Sequence, residues 1–470
     1  MKAITPAYIH QAVGGEAFLT HEEPVREVVI DSRKAAQGSL FFAVRGAKND
    51  GHDFIPAAYD SGCRAVVIDE EAWVQRCRAM DGMNVFFVPN VTNALMALAK
   101  QYLADWEDLK RVAVTGSVGK TSTKEFLAAV LGSRYRVGKT PGNLNSEYGL
   151  PLTVFGFDED IEVAVLEMGA GSTTHLRDLA DIAKPDVAVL TNVGSAHLEI
   201  FHTREKLAEE KLAVASGLGP GGLLVLNADS DYPKEEQVKE LLPAGAEVVH
   251  VGTSEASPHA EYRLREICDK GVDGVQSILD ICIDPQESVK LELPTIGAHN
   301  LLNAALAVAA GAAFGISAEE AAAALKNMKP VGKRLEVLEI GDITVINDAY
   351  NASPESMKAA IRVLRASEAK RRVAFLGDMY ELGEDSNELH ASVGKAVRDA
   401  GIDLLITAGE NALSIALGAT GGETEVHAFL TREEAFDALP SLMKPGDLLL
   451  LKASRAMALE EAVQVLERNL

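Results

Sequence analysis

Short apolar runs alternate along the chain with stretches that carry an apolar residue every three or four positions. In residues 1–108 the runs "REVVID", "SLFFAV", "RAVVID" and "NVFFVP" predict strands, and the pattern over 92–104 predicts a helix. From 109 onward "RVAVTG" leads into a helix beginning near Lys120, and "EVAVLEM", "DVAVLTNV" and "GLLVLNA" follow. These runs lack polar alternation, as expected of strands covered on both faces in a parallel sheet. An alanine-rich helical stretch over 299–327 is stopped by "KPVGKR", where Pro330 and Gly332 predict a linker and a hinge over 328–333. Beyond it "DITVIND", "RVAFLGD", "DLLITAG" and "DLLLLKAS" alternate with helical patterns over 354–366, 386–400 and 455–467, which predicts a second open sheet of Rossmann type. The expected fold class is α/β with three domains, over 1–108, 109–329 and 330–470. A central parallel-sheet domain of phosphate-loop type is flanked by an N-terminal α/β domain and a C-terminal Rossmann-like one.

Composition adds limits. A chain of 470 residues, 47% hydrophobic and 24% charged, suits a globular protein with several cores. It contains no run of about 18 apolar residues, so no membrane insertion is expected. The opening "MKAITPAYIHQAVGG" lacks the apolar core and small-residue site of a secretory leader. The four cysteines, Cys63, Cys77, Cys268 and Cys282, are too scattered for a disulfide framework or a metal site. A cytoplasmic location with reduced thiols is the expectation. The net charge of -24 argues against a nucleic-acid partner, yet leaves room for a small phosphorylated ligand held by a few local cations and amides.

The stretch "RVAVTGSVGKTSTKEFL" carries the chemistry. A phosphate loop normally places four residues between its first glycine and the Gly-Lys pair. Here only Ser117 and Val118 separate Gly116 from Gly119, and Val114 stands where the longer pattern has glycine. The setting is nevertheless that of a phosphate loop: an apolar strand, glycines that let amides approach phosphate oxygens, and a helix N-terminus with its partial positive charge. Residues Thr115, Gly116, Ser117, Val118, Gly119, Lys120, Thr121 and Ser122 are therefore the expected ATP loop. Lys120 would neutralise the phosphates and the Thr121 hydroxyl would reach Mg²⁺. Glu167 ends the apolar strand of "EVAVLEMGAG" and His197 follows that of "DVAVLTNVGSAHLE", where an open α/β sheet holds its ligands. The pair reads as further metal ligands. A solvated strand end for Glu167 and a loop histidine for His197 are the competing readings.

The motifs resemble the Mur ligases, the ATP-dependent amino-acid ligases of peptidoglycan precursor synthesis, whose shortened loop reads TG-x-x-GKT. "TGSVGKT" fits it, and the resemblance runs over essentially the whole chain apart from variable stretches such as 228–290. "DSRKAAQGSLFFAVRGAKNDGHDF", "TPGNLNSEYGLPLT", "NDAYNASPESM", "LGDMYELG" and "KASRAMALE" are similar to the branch that adds D-alanyl-D-alanine to a UDP-muramoyl tripeptide. The resemblance implies ATP and Mg²⁺ as cofactors, UDP-MurNAc-tripeptide and D-alanyl-D-alanine as partners, and a monomer. By position, it implies that Asp31, Ser32 and Arg33 hold the uridine nucleotide, and that Asn143 and Asn145 steer the precursor. Asn300 and Asn303 lie near the adenine, Arg334 is delivered to the phosphates by the C-terminal domain, and Asp348 approaches the ribose. Tyr350, Asn351, Lys452, Ser454 and Arg455 border the dipeptide cleft. Lys211 matches a lysine that is carbamylated in several of these ligases and then binds a second Mg²⁺. Its neighbour Glu210 departs from the usual small residue, which keeps a helical surface lysine open as an alternative. Ala453 and Ser146 are smaller departures, from glycine and asparagine.

The implied chemistry is amide synthesis through an acyl phosphate, with Lys120, Glu167, His197 and Arg334 as the catalytic groups. A carboxylate attacking a γ-phosphate must overcome like-charge repulsion, which Lys120, Arg334 and Mg²⁺ would offset. Another ligase of the superfamily, such as a folylpolyglutamate synthase, accounts for the loop but not for "DSRKAAQGSLFFAVRG" or "NDAYNASPESM". A nucleotide-dependent switch would account for the loop with no carboxylate substrate.

Overall fold

The computed structural model describes residues 1–46, 48–171, 175–195, 198–283, 286–329 and 335–469. Three sheets follow one another along the chain, of five, nine and six strands. The first runs from Glu16–Phe18 to Asn84–Phe87, and its strands are parallel except for Glu16–Phe18 at one edge. The helix Val91–Ala104 covers it, opened by Asn90, whose side chain accepts the Asn93 N–H.

The central sheet begins with Lys110–Thr115, flanked by Val163–Glu167 on one side and Val187–Leu190 on the other. Alternate residues of Lys110–Thr115 serve different cores. Val112 and Val114 pack with the helices Lys120–Leu131 and His299–Ala312, while Ala113 joins a cluster that continues through Val91–Ala104 into the N-terminal sheet. The first two sheets thus share one apolar core. This both-face burial is why the strand reads as an unbroken apolar run. Leu223–Asn227 and Glu247–Thr253 extend the sheet in parallel, and Tyr262–Asp269 pairs parallel to them. Val275–Ile281 and Glu287–Leu293 are antiparallel, a hairpin extension that the expectation of a parallel sheet did not contain.

In the third sheet the strands Ile343–Asn347, Asp447–Lys452, Arg371–Gly377, Leu404–Ala408 and Glu425–Phe429 lie parallel in that order, with Glu336–Ile340 antiparallel at the edge. This is the expected open, mostly parallel arrangement. Two helix expectations need correction. The stretch 299–327 is two helices, His299–Ala312 and Ala318–Lys326, because Gly315 at φ +75° turns the chain and Ser317 with Glu320 forms a capping box that starts the second. The last helix is Glu461–Asn469, preceded by a 3₁₀ turn at Arg455–Met457. Residues 330–333 of the expected hinge lie outside the described residues.

Candidate active site

The strand Lys110–Thr115 is a switch point: its neighbours in the sheet connect to it in opposite directions, which opens a crevice beyond its C-terminal end. The shortened loop fills that crevice and is held down by the next strand's loop. Ser117 N–H donates to the Asn192 carbonyl at 3.0 Å. Val118 N–H donates to Asn192 Oδ1 at 3.0 Å, and Asn192 Nδ2 donates back to the Val118 carbonyl at 3.0 Å. Thr191 Oγ1 reaches the same carbonyl at 2.6 Å. Gly116, at φ +145°, lies so close that a Cβ would fall 2.0 Å from Thr191 Oγ1. What the loop lacks in length is supplied by this staple. Asn192 lies within the quoted "NVGSAHLE" motif, yet its role could not be read there, because it rests on bonds to a loop 74 positions away.

Lys120 Nζ donates to the Gly116 and Ser117 carbonyls at 2.7 and 3.2 Å, curled over the loop at the start of its helix. Thr121 Oγ1 lies 3.2 Å from Glu167 Oε1, and Asn145 Nδ2 donates to the same oxygen at 2.9 Å. Glu167 is not a solvated strand end: it is 2% exposed, and its Oε2 has no hydrogen-bond partner among the described residues. The nearest charge is Lys124, a fully buried lysine one turn beyond Lys120, with Nζ 3.4 Å from Oε2 and donating to the Gly142 carbonyl at 3.2 Å. Lys124 was not singled out in the sequence. Its i+4 spacing from Lys120, which puts both on one helix face, was the available signal.

The surface alternative for Lys211 is overturned, since its side chain is completely buried and Nζ has no hydrogen-bond partner among the described residues. Burial first, and then the nearby Lys120 charge, push its amine down to about 7. The neighbouring Glu210 partly opposes that shift through its charge, and its Oε1 accepts the Leu176 N–H at 2.6 Å at the start of the helix Leu176–Ala183.

The C-terminal domain closes over the loop, leaving a cleft of about 470 Å³. The central domain contributes Ser117 to Ser122, Asn143, His299, Asn300 and Asn303, and a Cβ on Gly119 would come within 2.7 Å of Asn303 Oδ1. From the C-terminal side come Asp348, Tyr350, Asn351, Lys452, Ser454 and Arg455. Lys452 is buried and orders this wall, donating to Asp348 Oδ2 at 2.6 Å and to the Asn351 carbonyl at 2.8 Å. Arg455 stands over the Tyr350 ring at 5.5 Å, and Ser454 Oγ accepts the Tyr380 N–H at 2.9 Å.

Other expected residues fall elsewhere. Thr115 lies beneath the loop, donating to the Met168 carbonyl at 2.8 Å. Asn145 is engaged by Glu167 and does not line the cleft. Asp31, Ser32 and Arg33 form a turn after the strand Glu27–Val29, half-buried at Asp31 and Ser32 and exposed at Arg33, and do not line this cleft; Asp31 is held down to about 2 by hydrogen bonds from Arg33. His197 and Arg334 lie outside the described residues. Asp50, His52 and Glu70 cluster at metal-ligand spacing, but Arg45 already bridges Asp50 and Glu70, so that site is filled by a cation of the chain itself.

Comparison with known proteins gives a consistent picture. Residues 24–103 match the Mur ligase family catalytic-domain model, 114–311 the Mur ligase middle domain, and 333–455 the Mur ligase glutamate ligase domain. The UDP-N-acetylmuramoyl-tripeptide--D-alanyl-D-alanine ligase of Bacillus subtilis is 36% identical, over 94% of this chain and 93% of its own. A crystal structure of MurF from Acinetobacter baumannii superposes with a TM-score of 0.90 at 27% identity, covering 100% of this chain and 99% of that one. MurF from Thermotoga maritima in complex with ADP superposes at 0.80 with 29% identity, covering 95% and 98%.

Proposed function

The chain belongs to the Mur ligase family, and from that premise we infer that it is an ATP-dependent amide ligase, ADP-forming, that adds D-alanyl-D-alanine to UDP-N-acetylmuramoyl-tripeptide in peptidoglycan synthesis. The full-length likeness to ligases of that activity carries the reading. The stapled phosphate loop, facing a cleft closed by the C-terminal domain, supplies its chemistry.

The tripeptide carboxylate attacks the γ-phosphorus and ADP leaves, giving an acyl phosphate. The dipeptide amine then attacks the acyl carbon, loses its proton, and inorganic phosphate departs. Lys120 exchanges the Gly116 and Ser117 carbonyls for phosphate oxygens, and Arg334 arrives with the C-terminal domain. Asn143 steers the precursor, and Asn145 keeps Glu167 oriented. Asn300, Asn303 and Asp348 hold the adenosine, while Tyr350, Asn351, Ser454 and Arg455 border the dipeptide, on a wall ordered by Lys452. Asp31, Ser32 and Arg33 take the uridine end, on the N-terminal domain of residues 1–108. Closure excludes the water that would hydrolyse the acyl phosphate.

The donor set fits Mg²⁺. The buried Glu167 carboxylate offers both oxygens: Oε1 lies beside the Thr121 hydroxyl at the phosphate loop, and Oε2, without a hydrogen-bond partner among the described residues, has Lys124 Nζ at 3.4 Å as a cation that Mg²⁺ would displace or sit beside. Thr121, Glu167 and His197 would hold the ion, which supplies charge neutralisation between carboxylate and γ-phosphate. Lys211 supports a second site. A buried amine near neutrality adds to CO₂, releasing a proton and forming a carbamate that can serve as a ligand. A cytoplasmic location goes with this reading, since ATP and nucleotide-linked precursors are found there. Among the described residues no helix is long and apolar enough to cross a membrane.

Phosphate release from ATP tests the reading, measured with UDP-muramoyl tripeptide with and without D-alanyl-D-alanine. The expected result is release that needs both substrates, with a product heavier by one dipeptide less one water. Release indifferent to both would overturn it.

A further inference from the structure

Glu355 is the second residue of the C-terminal-domain helix Pro354–Ala366, and its carboxylate reaches out of its own domain. Oε1 accepts the Ser195 backbone N–H at 3.0 Å and the Ser195 hydroxyl at 2.5 Å, both in the central domain. The neighbouring Gly194 approaches so closely that a Cβ would lie 3.0 Å from the Glu355 carboxyl carbon. Gly194 N–H donates in turn to Ser117 Oγ at 3.0 Å, in the phosphate loop itself. The carboxylate of one domain is thus linked, through two neighbouring residues, to the ATP loop of the other. The far end of the region is seated as tightly. Gly271, at φ +63° in the turn between the strands Tyr262–Asp269 and Val275–Ile281 of the central sheet, faces Ser367 with no room for a Cβ, which would fall 2.2 Å from Ser367 Oγ. The helix Pro354–Ala366 therefore spans the domain junction and is seated at both ends.

We propose that Glu355 is a positioning residue for the ligase reaction: its carboxylate clasps Ser195 when the C-terminal domain closes, and so sets residues 192–195 and Ser117 for ATP. The proposal rests on the ligase reading. Two hydrogen bonds to an ionised acceptor are stronger than neutral ones. They form only while the domains are docked, so they favour the closed state alone. A ligand that needs that state then binds more weakly in proportion as its population falls. The competing role for a glutamate in a first turn is to favour its own helix through the helix dipole, which would not involve Ser195.

The test uses the full-length protein. Hydrogen–deuterium exchange is read at the peptide containing Ser195 in the presence of ADP, alongside KM for ATP and kcat in the phosphate-release assay. Glu355→Ala should speed exchange there and raise KM for ATP, each by about tenfold, with kcat changed less than about threefold. Glu355→Gln keeps an acceptor at Oε1 and should stay within about threefold of wild type. Combining Ser195→Ala with Glu355→Ala should cost no more than Glu355→Ala alone. Wild-type exchange and KM in Glu355→Ala overturn the clasp, as do Ser195→Ala and Glu355→Ala effects that simply add. Should Glu355→Ala fold poorly, Glu355→Gln and Ser195→Ala still decide between these outcomes. Wild-type protein without substrate-dependent turnover defeats the ligase reading instead, while exchange at Ser195 continues to test the contact.

Discussion

The central sheet has two halves built on opposite patterns. Its parallel strands Lys110–Thr115, Val163–Glu167 and Val187–Leu190 are apolar on both faces, and each ends in a loop of the candidate site. Its antiparallel hairpin, Val275–Ile281 with Glu287–Leu293, buries alternate residues. Val275, Ser277, Leu279 and Ile281 face the helices, while Gln276, Ile278 and Asp280 are partly exposed. The residues assigned to phosphate or metal in this domain lie on the first half or on the helices that follow it, while Asn300 and Asn303, assigned to the adenosine, lie on the helix His299–Ala312 that comes after the hairpin. Parallel strands deliver all their C-terminal ends, and the N-termini of the succeeding helices, to one edge, where amides and partial charges converge. A hairpin sends successive ends to opposite edges and concentrates nothing. The comparison assigns chemistry to one half and stability to the other.

Substitutions can break that assignment. The largest effect is expected for Lys120→Met in the parallel half. It should lower kcat/KM for ATP by about 10³-fold in the phosphate-release assay, because a charge aimed at the developing phosphoryl charge is lost. Its melting temperature should not fall, since Lys120 stands against the buried Lys211. A variant that melts early instead would make Lys120 a structural residue.

A smaller loss, about 10²-fold in kcat, is expected for Lys211→Met, comparable with losing a metal's supporting ligand. Wild-type protein stripped of CO₂ should regain activity on adding bicarbonate, and the methionine variant should not. The regain should strengthen as pH rises through about 7, because only the neutral amine reacts. Equal bicarbonate responses in the two proteins would reject the carbamate.

The smallest effect on activity is expected in the hairpin. Leu279 is fully buried there, opposite Val289 and Leu264. Leu279→Ala should cost about 2–5 kcal/mol of stability in denaturant melts through the cavity it leaves. Its kcat/KM below the melt should stay within about twofold of wild type. A large loss of turnover in a stable Leu279→Ala protein would show that the halves are not separable.

The same contrast governs what was legible. The parallel strands were read because their apolar runs are continuous. The hairpin was missed because neither strand is a continuous apolar run: "VQSILDI" carries adjacent polar residues at Gln276 and Ser277, "SVKLEL" alternates polar with apolar, and most of the hairpin falls in the stretch 228–290 treated as variable. The break between the helices His299–Ala312 and Ala318–Lys326 was readable in principle, from Gly315 and the Ser317–Glu320 spacing, but the alanine-rich pattern on both sides masked it. In the site, Lys120, Thr121 and Glu167 were found from local context. Asn192, Lys124 and Glu355 were not, since each acts through a partner that chain position does not disclose.

By itself the sequence determined the elements that depend on near neighbours. These are the apolar strands, the glycines of the loop at Gly116 and Gly119, and the Gly-Lys-Thr that opens a helix. Only the tertiary structure decided the burial of Lys211, the staple of Asn192 on Val118, and the reach of Glu355 to Ser195. The physical reason is that desolvation and hydrogen bonding between distant segments come from packing. A lysine on a helix carries the same letters around it whether its amine meets water or a closed core.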